Sequence, residues 1–209
     1  MPASTSVKTP GKATSKRPQR KKVHNNEPQA GIYDLDHENW IRILKLFFGG
    51  PHVTIHIREV ARRIGMTPRG AKYILDALTK EGLLNVMPTG VVSNYSGNYQ
   101  NEKFVALKKS LNLYSLYSCG LVSALEEFYH TPKCILLFGS YARGEDTDRS
   151  DVDLAIVTDS EDMPELEKYE SFINKKISIT LVKNVREENS NFINSLANGI
   201  VLSGYLKVN

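Results

Sequence analysis

The chain has 209 residues, of which 41% are hydrophobic and 24% charged, with a formal net charge of +4; this is enough for two modest domains, each with its own core. Its two cysteines, Cys119 and Cys134, are too few and too widely spaced for a disulfide framework or a zinc site. The longest apolar runs fall far short of the roughly 18 residues of a membrane span, and the N-terminus lacks the apolar stretch of a signal peptide, so a cytoplasmic protein without a membrane partner is expected.

Residues 1 to 30 form a basic tail. They carry seven positive charges against Glu27 alone, a formal +6, which leaves −2 for the rest of the chain. The tail is rich in Pro, Ser, Thr, Gly and Lys and has almost no large apolar side chains, so residues 1–35 are predicted to be disordered. Two interpretations stay open: a solubilising extension, or a basic arm that binds nucleic acid by releasing counterions.

The pattern of a folded domain begins at Asp36 and continues to Leu107. Apolar residues recur at helical spacing, interrupted by glycines that end helices or make turns, and Thr67 and Pro68 mark a helix start. The predicted elements are a helix at 40–48, a strand at 53–57, helices at 58–64 and 68–81, and strands at 83–87 and 103–107.

A helix, a helix-turn-helix and a β-hairpin in this order resemble a winged helix-turn-helix domain. The segment HIREVARRIGMTPRGAKYILDALTKEGLL is similar to prokaryotic transcription factors through most of its length. The resemblance implies that DNA is the partner and that the second helix enters the major groove. Candidate groove contacts are Arg69, Gly70, Lys72 and Tyr73. Candidate phosphate contacts are Arg58, Arg62, Lys80 and Lys103. The alternative is a protein-docking module, which would make the basic face merely a solvated one.

The next element is predicted as one long connecting helix within 108–131. Leu113, Leu116, Leu121 and Leu125 belong to an apolar stripe with intervals of three and four residues, and Pro132 ends the segment. The stripe is explained by packing on the domains at either end, or by the seam of a homodimer.

A phosphate-binding turn is predicted where the apolar strand 133–138 meets Gly139 and Ser140. Backbone N–H groups and the helix dipole attract phosphate where a strand turns into a helix. Gly139 permits close approach, Ser140 offers a hydroxyl and an amide, and Arg143 adds a cation one turn later. These three residues are the candidate nucleotide-binding set.

Two carboxylates follow a polar loop. Asp151 and Asp153 open the strand DVDLAIVT, and residues two apart on a strand face the same side. Two hard oxygen ligands suit Mg²⁺, which prefers one or two carboxylates together with substrate phosphates. Asp151 and Asp153 are therefore the candidate catalytic and metal-ligating pair, with Mg²⁺ as the cofactor and a nucleoside triphosphate as the ligand.

The pattern G-S-x10-D-x-D resembles the signature of minimal nucleotidyltransferases of the DNA polymerase beta-like superfamily. The resemblance covers 132–209, and the domain order resembles archaeal proteins that fuse a winged helix to such a domain. It implies Mg²⁺-dependent transfer of a nucleoside monophosphate from NTP to an acceptor hydroxyl, with Gly139 and Ser140 on the triphosphate and Asp151 and Asp153 on the metal. By analogy, the acceptor could be a partner protein such as a toxin.

The sequence departs from that family at the position of a third carboxylate, and this departure leaves two interpretations open. Members that catalyse transfer have a third carboxylate on a later strand, where this sequence places Ser178, or Thr180 if the register slips by two. Glu170 and Asp148 are the nearby substitutes. The chain is therefore either an enzyme, or a DNA-binding transcriptional or chromatin regulator, with a nucleoid-associated location, whose inactive domain binds nucleotide or a partner.

The complete prediction is an α+β fold: an N-terminal winged helix-turn-helix, a long connecting helix and a small C-terminal mixed α/β domain. For the last domain, helices at 165–174 and 187–197, a strand at 177–182 and a closing apolar segment at 199–206 are expected, with the helices on one face of the sheet.

Overall fold

The computed structural model describes residues 37–89 and 92–207. The basic tail predicted over 1–35 lies outside these residues. The described residues belong to one compact unit, Asp36–Asn209, and they form a mixed α+β fold with two sheets, which confirms the predicted class. Within them, no helix combines the length and the apolar character that crossing a bilayer requires.

The first part of this unit is built from three helices and three short strands. Gly65, with φ at +77°, makes the turn between the second and third helices, and the Thr67 hydroxyl caps the third by accepting from Gly70 N–H at 3.1 Å. The strands form an antiparallel sheet in the order β1-β3-β2. The bounds are α1 His37–Lys45, β1 Thr54–His56, α2 Ile57–Ile64, α3 Pro68–Lys80, β2 Leu84–Thr89 and β3 Val92–Gly97.

The strand predicted at 103–107 is wrong. The partner of β2 is β3, inside the segment taken for a polar connection, and residues Glu102–Ser118 form a helix, α4. Tyr95 explains the difference, since it is buried in the core and pairs with strands on both sides. Asn101 then starts α4 by accepting from Lys103 N–H at 2.8 Å, so Lys103 lies in the first turn of a helix.

The prediction of a single long connecting helix is also wrong. Helix α4 ends at Ser118, and a second helix, α5, spans Leu121–Phe128. Gly120 separates them with φ at +78°, a conformation that glycine adopts without strain. Leu116 and Leu121, on either side of the break, are both fully buried in the same core cluster.

The last part of the chain forms a four-stranded sheet in the order β6-β5-β4-β7. The two central strands, β4 and β5, are antiparallel, and the edge strand β6 is parallel to β5. The bounds are β4 Cys134–Phe138, α6 Gly139–Arg143, β5 Val152–Val157, α7 Glu167–Ile173, β6 Ile177–Val182, a 3-10 turn Val185–Glu187, α8 Ser190–Ala197 and β7 Ile200–Gly204.

Helices cover both faces of this sheet, which corrects the prediction that they lie on one. Leu154 on β5 packs in a core cluster with Leu125 of α5 and Tyr141 of α6. The next residue, Ala155, points to the opposite face and packs in a cluster with Leu196 of α8. Because side chains alternate along β5, Asp153, the second residue of the strand, lies on the same side of the sheet as α8.

Candidate nucleotide and metal site

The predicted phosphate-binding turn lies directly beside the start of β5. Phe138, the last residue of β4, pairs with Asp153, and Gly139 follows with φ at +73°. A Cβ added to Gly139 would lie 3.2 Å from Cγ of Asp153 and closer still to its Oδ2. Glycine is therefore required here for its backbone conformation and for the space that the Asp153 carboxylate occupies.

The two predicted carboxylates lie at the start of β5, close enough that the charge of Asp151 acts on Asp153. Asp151 is exposed immediately before β5, and Asp153 is partly buried. Burial raises the pKa of Asp153, and the negative charge of Asp151 raises it further, whereas the positive charge of Arg143 lowers it. Two carboxylates close enough to repel each other bind a divalent cation favourably, because the cation relieves that repulsion.

The other two predicted nucleotide-binding residues occupy α6. Ser140 lies in its first turn and is partly exposed, next to Gly139. Arg143 ends the helix and donates from Nε to Glu145 at 2.6 Å, with both side chains about half exposed. The structure therefore places Gly139 against the Asp153 carboxylate, with Ser140 as the next residue, while the Arg143 guanidinium is paired with a neighbouring carboxylate.

The strand register fixes which residue stands at the position where a third carboxylate was expected. Ser178 on β6 pairs with Asp153, and Thr180 pairs with Ala155, so the register does not slip. Both side chains are exposed. Over residues 37–89 and 92–207, no group of three or more His, Cys, Asp or Glu side chains could hold a metal ion. The donor set fits a metal that takes two protein carboxylates and completes its shell with water or phosphate oxygens.

Neither predicted substitute supplies the third ligand. Glu170 accepts hydrogen bonds from Lys176 Nζ at 2.7 Å and from Ile177 N–H at 3.0 Å, and these contacts lower its pKa. Asp148 lies 3.5 Å from His52 Nε2, and its backbone N–H donates to Gly49 O. Both residues are held in place by other contacts.

Sequence reasoning missed three cations that line a cavity together with Asp151. A cavity of about 500 Å³ opens next to Asp151, and its lining includes Arg149, Lys175 and Lys176. The only signal in the sequence was the position of Arg149 two residues before Asp151. Lys175 and Lys176 come from the turn before β6 and join the site only through the parallel pairing of β5 and β6.

The predicted DNA contacts lie at the surface of the first part of the unit, except for Lys103, which lies at the start of α4. Tyr73 on α3 is 69% exposed, and the half-buried Gly70 lines a shallow pocket beside it. Two of the cations are already paired: Lys72 bonds Asp76 and Arg62 bonds Glu59. The remaining exposed cations are Arg58, Arg69, Lys80 and Lys103.

Comparison with known proteins bears on the second part of the chain. The family model described as Polymerase beta, Nucleotidyltransferase matches residues 122–204. No curated protein and no solved structure matches the chain. The matched residues run from α5 to β7 and include Gly139, Ser140, Asp151 and Asp153. The second part of this chain is therefore similar to the nucleotidyltransferase domain of the polymerase beta family.

Proposed function

We propose that residues 122–204 transfer a nucleoside monophosphate from a nucleoside triphosphate to an acceptor hydroxyl. The observation that carries the proposal is the position of the Asp153 carboxylate against Gly139, with the charge of Asp151 acting on it, within the stretch matched by the family. A triphosphate and a divalent cation need this combination of closely approachable backbone and clustered carboxylates.

Each residue has a distinct task in this proposal. Asp151 and Asp153 would hold Mg²⁺, the metal that the family resemblance implies. Gly139 and Ser140 would bind phosphate oxygens through backbone N–H groups and the Ser140 hydroxyl. Arg143 lies one turn further on and would join them by exchanging Glu145 for a phosphate oxygen.

The reaction requires one bond to form and one to break. The acceptor oxygen bonds to the α-phosphorus, the bond between the α-phosphorus and the bridging oxygen breaks, and pyrophosphate leaves with that oxygen. When bound, Mg²⁺ supplies charge neutralisation on the phosphates and orients them. The protein residues position the triphosphate relative to the acceptor, and the hydroxyl proton passes to water, because neither Ser178 nor Thr180 can accept it at neutral pH.

The test is incubation of the full chain with each α-labelled NTP and Mg²⁺, with and without DNA, RNA or cell extract. The proposal predicts label in an acceptor, and loss of that label in the double variant Asp151→Asn, Asp153→Asn. Label in extract alone would point to a protein acceptor, such as a toxin partner. If no acceptor is labelled while nucleotide still binds, the domain is a nucleotide-binding one without turnover, as the uncharged Ser178 would favour.

A second candidate function concerns residues 36–107, which we propose form a winged helix-turn-helix domain that binds DNA. It is supported by α2, the Gly65 turn and α3, followed by the β2–β3 hairpin, with Arg69 and Tyr73 exposed on α3. Such a domain would bring the transferase to DNA, or make the protein a transcriptional or chromatin regulator.

The DNA test compares variants on α3 with a matched surface change. We expect Arg69→Ala and Tyr73→Ala each to weaken duplex binding about tenfold, whereas Lys133→Ala, an exposed cation beside β4, leaves it unchanged. Equal effects of Arg69→Ala and Lys133→Ala, with no effect of the uncharged change Tyr73→Ala, would mean that only net charge attracts DNA. Deleting residues 1–30 is expected to flatten the salt dependence of binding, and an unchanged slope would exclude the tail as a phosphate-binding arm.

A further inference from the structure

A buried ion pair joins α4 to the loop that leads into the carboxylate pair. Lys108 of α4 and Asp146 of the loop at 144–151 are 0% and 1% exposed. Lys108 Nζ lies 3.1 Å from Asp146 Oδ1 and also donates to the Asp146 backbone carbonyl. Asn112, one turn along α4, donates to the same Oδ1 at 2.7 Å, and Lys175 Nζ lies 3.3 Å from Oδ2. Both carboxylate oxygens are thus engaged.

Two aromatic residues that precede α4 pack against Lys108. Lys108 Nζ lies 5.2 Å from the ring centre of Tyr99 and 5.9 Å from that of Phe48. Tyr99 is itself held by donating from its hydroxyl to the Phe47 carbonyl at 3.0 Å. The aromatic residues packed around Lys108, Tyr99 and Phe48, therefore lie outside the stretch matched by the nucleotidyltransferase family.

Further contacts hold the same loop. Asp148 N–H donates to Gly49 O at 2.9 Å, and Lys175 Nζ donates to the carbonyls of Thr147 and Ser150. The loop then enters β5 through Val152, whose N–H donates to Lys176 O at 2.8 Å. The loop residues held by these contacts, Asp146, Thr147, Asp148 and Ser150, all lie within five positions before Asp151.

A pair of this kind is better suited to fixing position than to adding stability. Removing two charges from water costs about as much as their attraction returns, so a buried ion pair contributes little net stability. Moving Asp146 away from Lys108, however, would leave a buried ammonium without a partner, which is strongly unfavourable. The loop is therefore held in one arrangement.

We infer that Lys108 is a positioning residue for the proposed metal site, acting through Asp146 to hold the loop so that Asp151 and Asp153 converge beside Gly139. This inference rests on the proposed function, because it takes those carboxylates to be the metal ligands. It makes α4, and the aromatic residues packed around Lys108, part of the transferase. The domain that the family match delimits would then be incomplete without residues before 122.

The test uses the full chain and three variants: Lys108→Met, Asp146→Asn and the two combined. Mn²⁺ binding is measured by electron paramagnetic resonance, thermal unfolding by circular dichroism, and backbone mobility of residues 144–151 by hydrogen exchange. Lys133→Met is the matched control, since Lys133 also pairs with an aspartate, but at the surface.

The combined variant separates positioning from stability, even if a single variant folds poorly. Because it leaves no charge at position 108 or 146, it should unfold at a higher temperature than Asp146→Asn, in which the Lys108 ammonium stays buried without a carboxylate partner. If Lys108 positions the site, the combined variant still binds Mn²⁺ at least tenfold more weakly than wild type, and residues 144–151 exchange faster while residues 134–138 do not. The surface control changes none of these readouts.

Two outcomes would overturn the inference, and they differ from each other. If wild type and the Asp151→Asn, Asp153→Asn variant bind Mn²⁺ equally, the metal site is wrong and the proposed function falls together with the inference. If wild type binds and the combined Lys108, Asp146 variant binds as tightly, only the positioning role is wrong, and the pair is purely structural.

Discussion

Gly139→Ala tests the geometry of the site most directly. The substitution forces an L-residue into a left-handed conformation, at a cost of about 1–2 kcal/mol. It also places a Cβ 3.2 Å from Cγ of Asp153 and nearer to Oδ2, so the carboxylate must move by about 1 Å to restore an ordinary contact. A displacement of that size in a reacting group lowers a rate about 100-fold. We expect transfer to fall by this factor while the fold survives.

Gly120→Ala is the matched control. Gly120 has nearly the same backbone angle, φ +78°, but an added Cβ there meets nothing within 4 Å. The strain should therefore lower the melting temperature by a similar amount in both variants, about 2–4 °C per kcal/mol for a chain of this size. Circular dichroism measures that shift, and labelled-NTP incorporation measures transfer. Equal transfer by the two variants would refute the argument that Gly139 makes room for the Asp153 carboxylate.

Four further predictions concern ligand charge and buried charge. Mn²⁺ affinity should fall as the pH is lowered through the raised pKa of Asp153, starting at a higher pH than for an ordinary aspartate, because protonation removes a ligand; calorimetric titration showing no such fall would contradict this. In the metal-free protein, ionised Asp153 weakens the fold above that pKa, so Asp153→Asn should raise the melting temperature at neutral pH. Ser178→Asp places a carboxylate in register with Asp153 and should tighten Mn²⁺ binding about tenfold, whereas Thr180→Asp, two residues along β6, should not. Lys108→Met should lower the free energy of unfolding, measured in urea, by about 3–5 kcal/mol. The loss should be nearer the lower value, because Asn112 and Lys175 still bond the Asp146 carboxylate. A loss below about 1 kcal/mol would mean that the charge is not buried as described.

The predicted strand at 103–107 shows where local pattern fails. That segment reads as a short apolar run, and a helix and a strand are not distinguished by periodicity over so few residues. The deciding contacts are distant in sequence, since Tyr95 pairs with Ile55 on one side and with Val86 on the other. At Gly120 the local pattern failed in a different way. The apolar stripe continues through this residue and predicts one helix, and only the packing of α4 and α5 into one core shows that the helix breaks there.

The sequence by itself determined the proposed site's local chemistry, because each pair of groups is adjacent in the chain: Gly139 with Ser140 at the end of a strand, and Asp151 with Asp153 at the start of the next. Spacing along a strand sets which side chains share a face, and that is a local property. The tertiary structure decided that Ser178, rather than Thr180, stands beside Asp153, and it alone showed that Lys108 bonds Asp146, 38 residues away in sequence. Strand register and the burial of an ion pair depend on what else packs there, which no local pattern records.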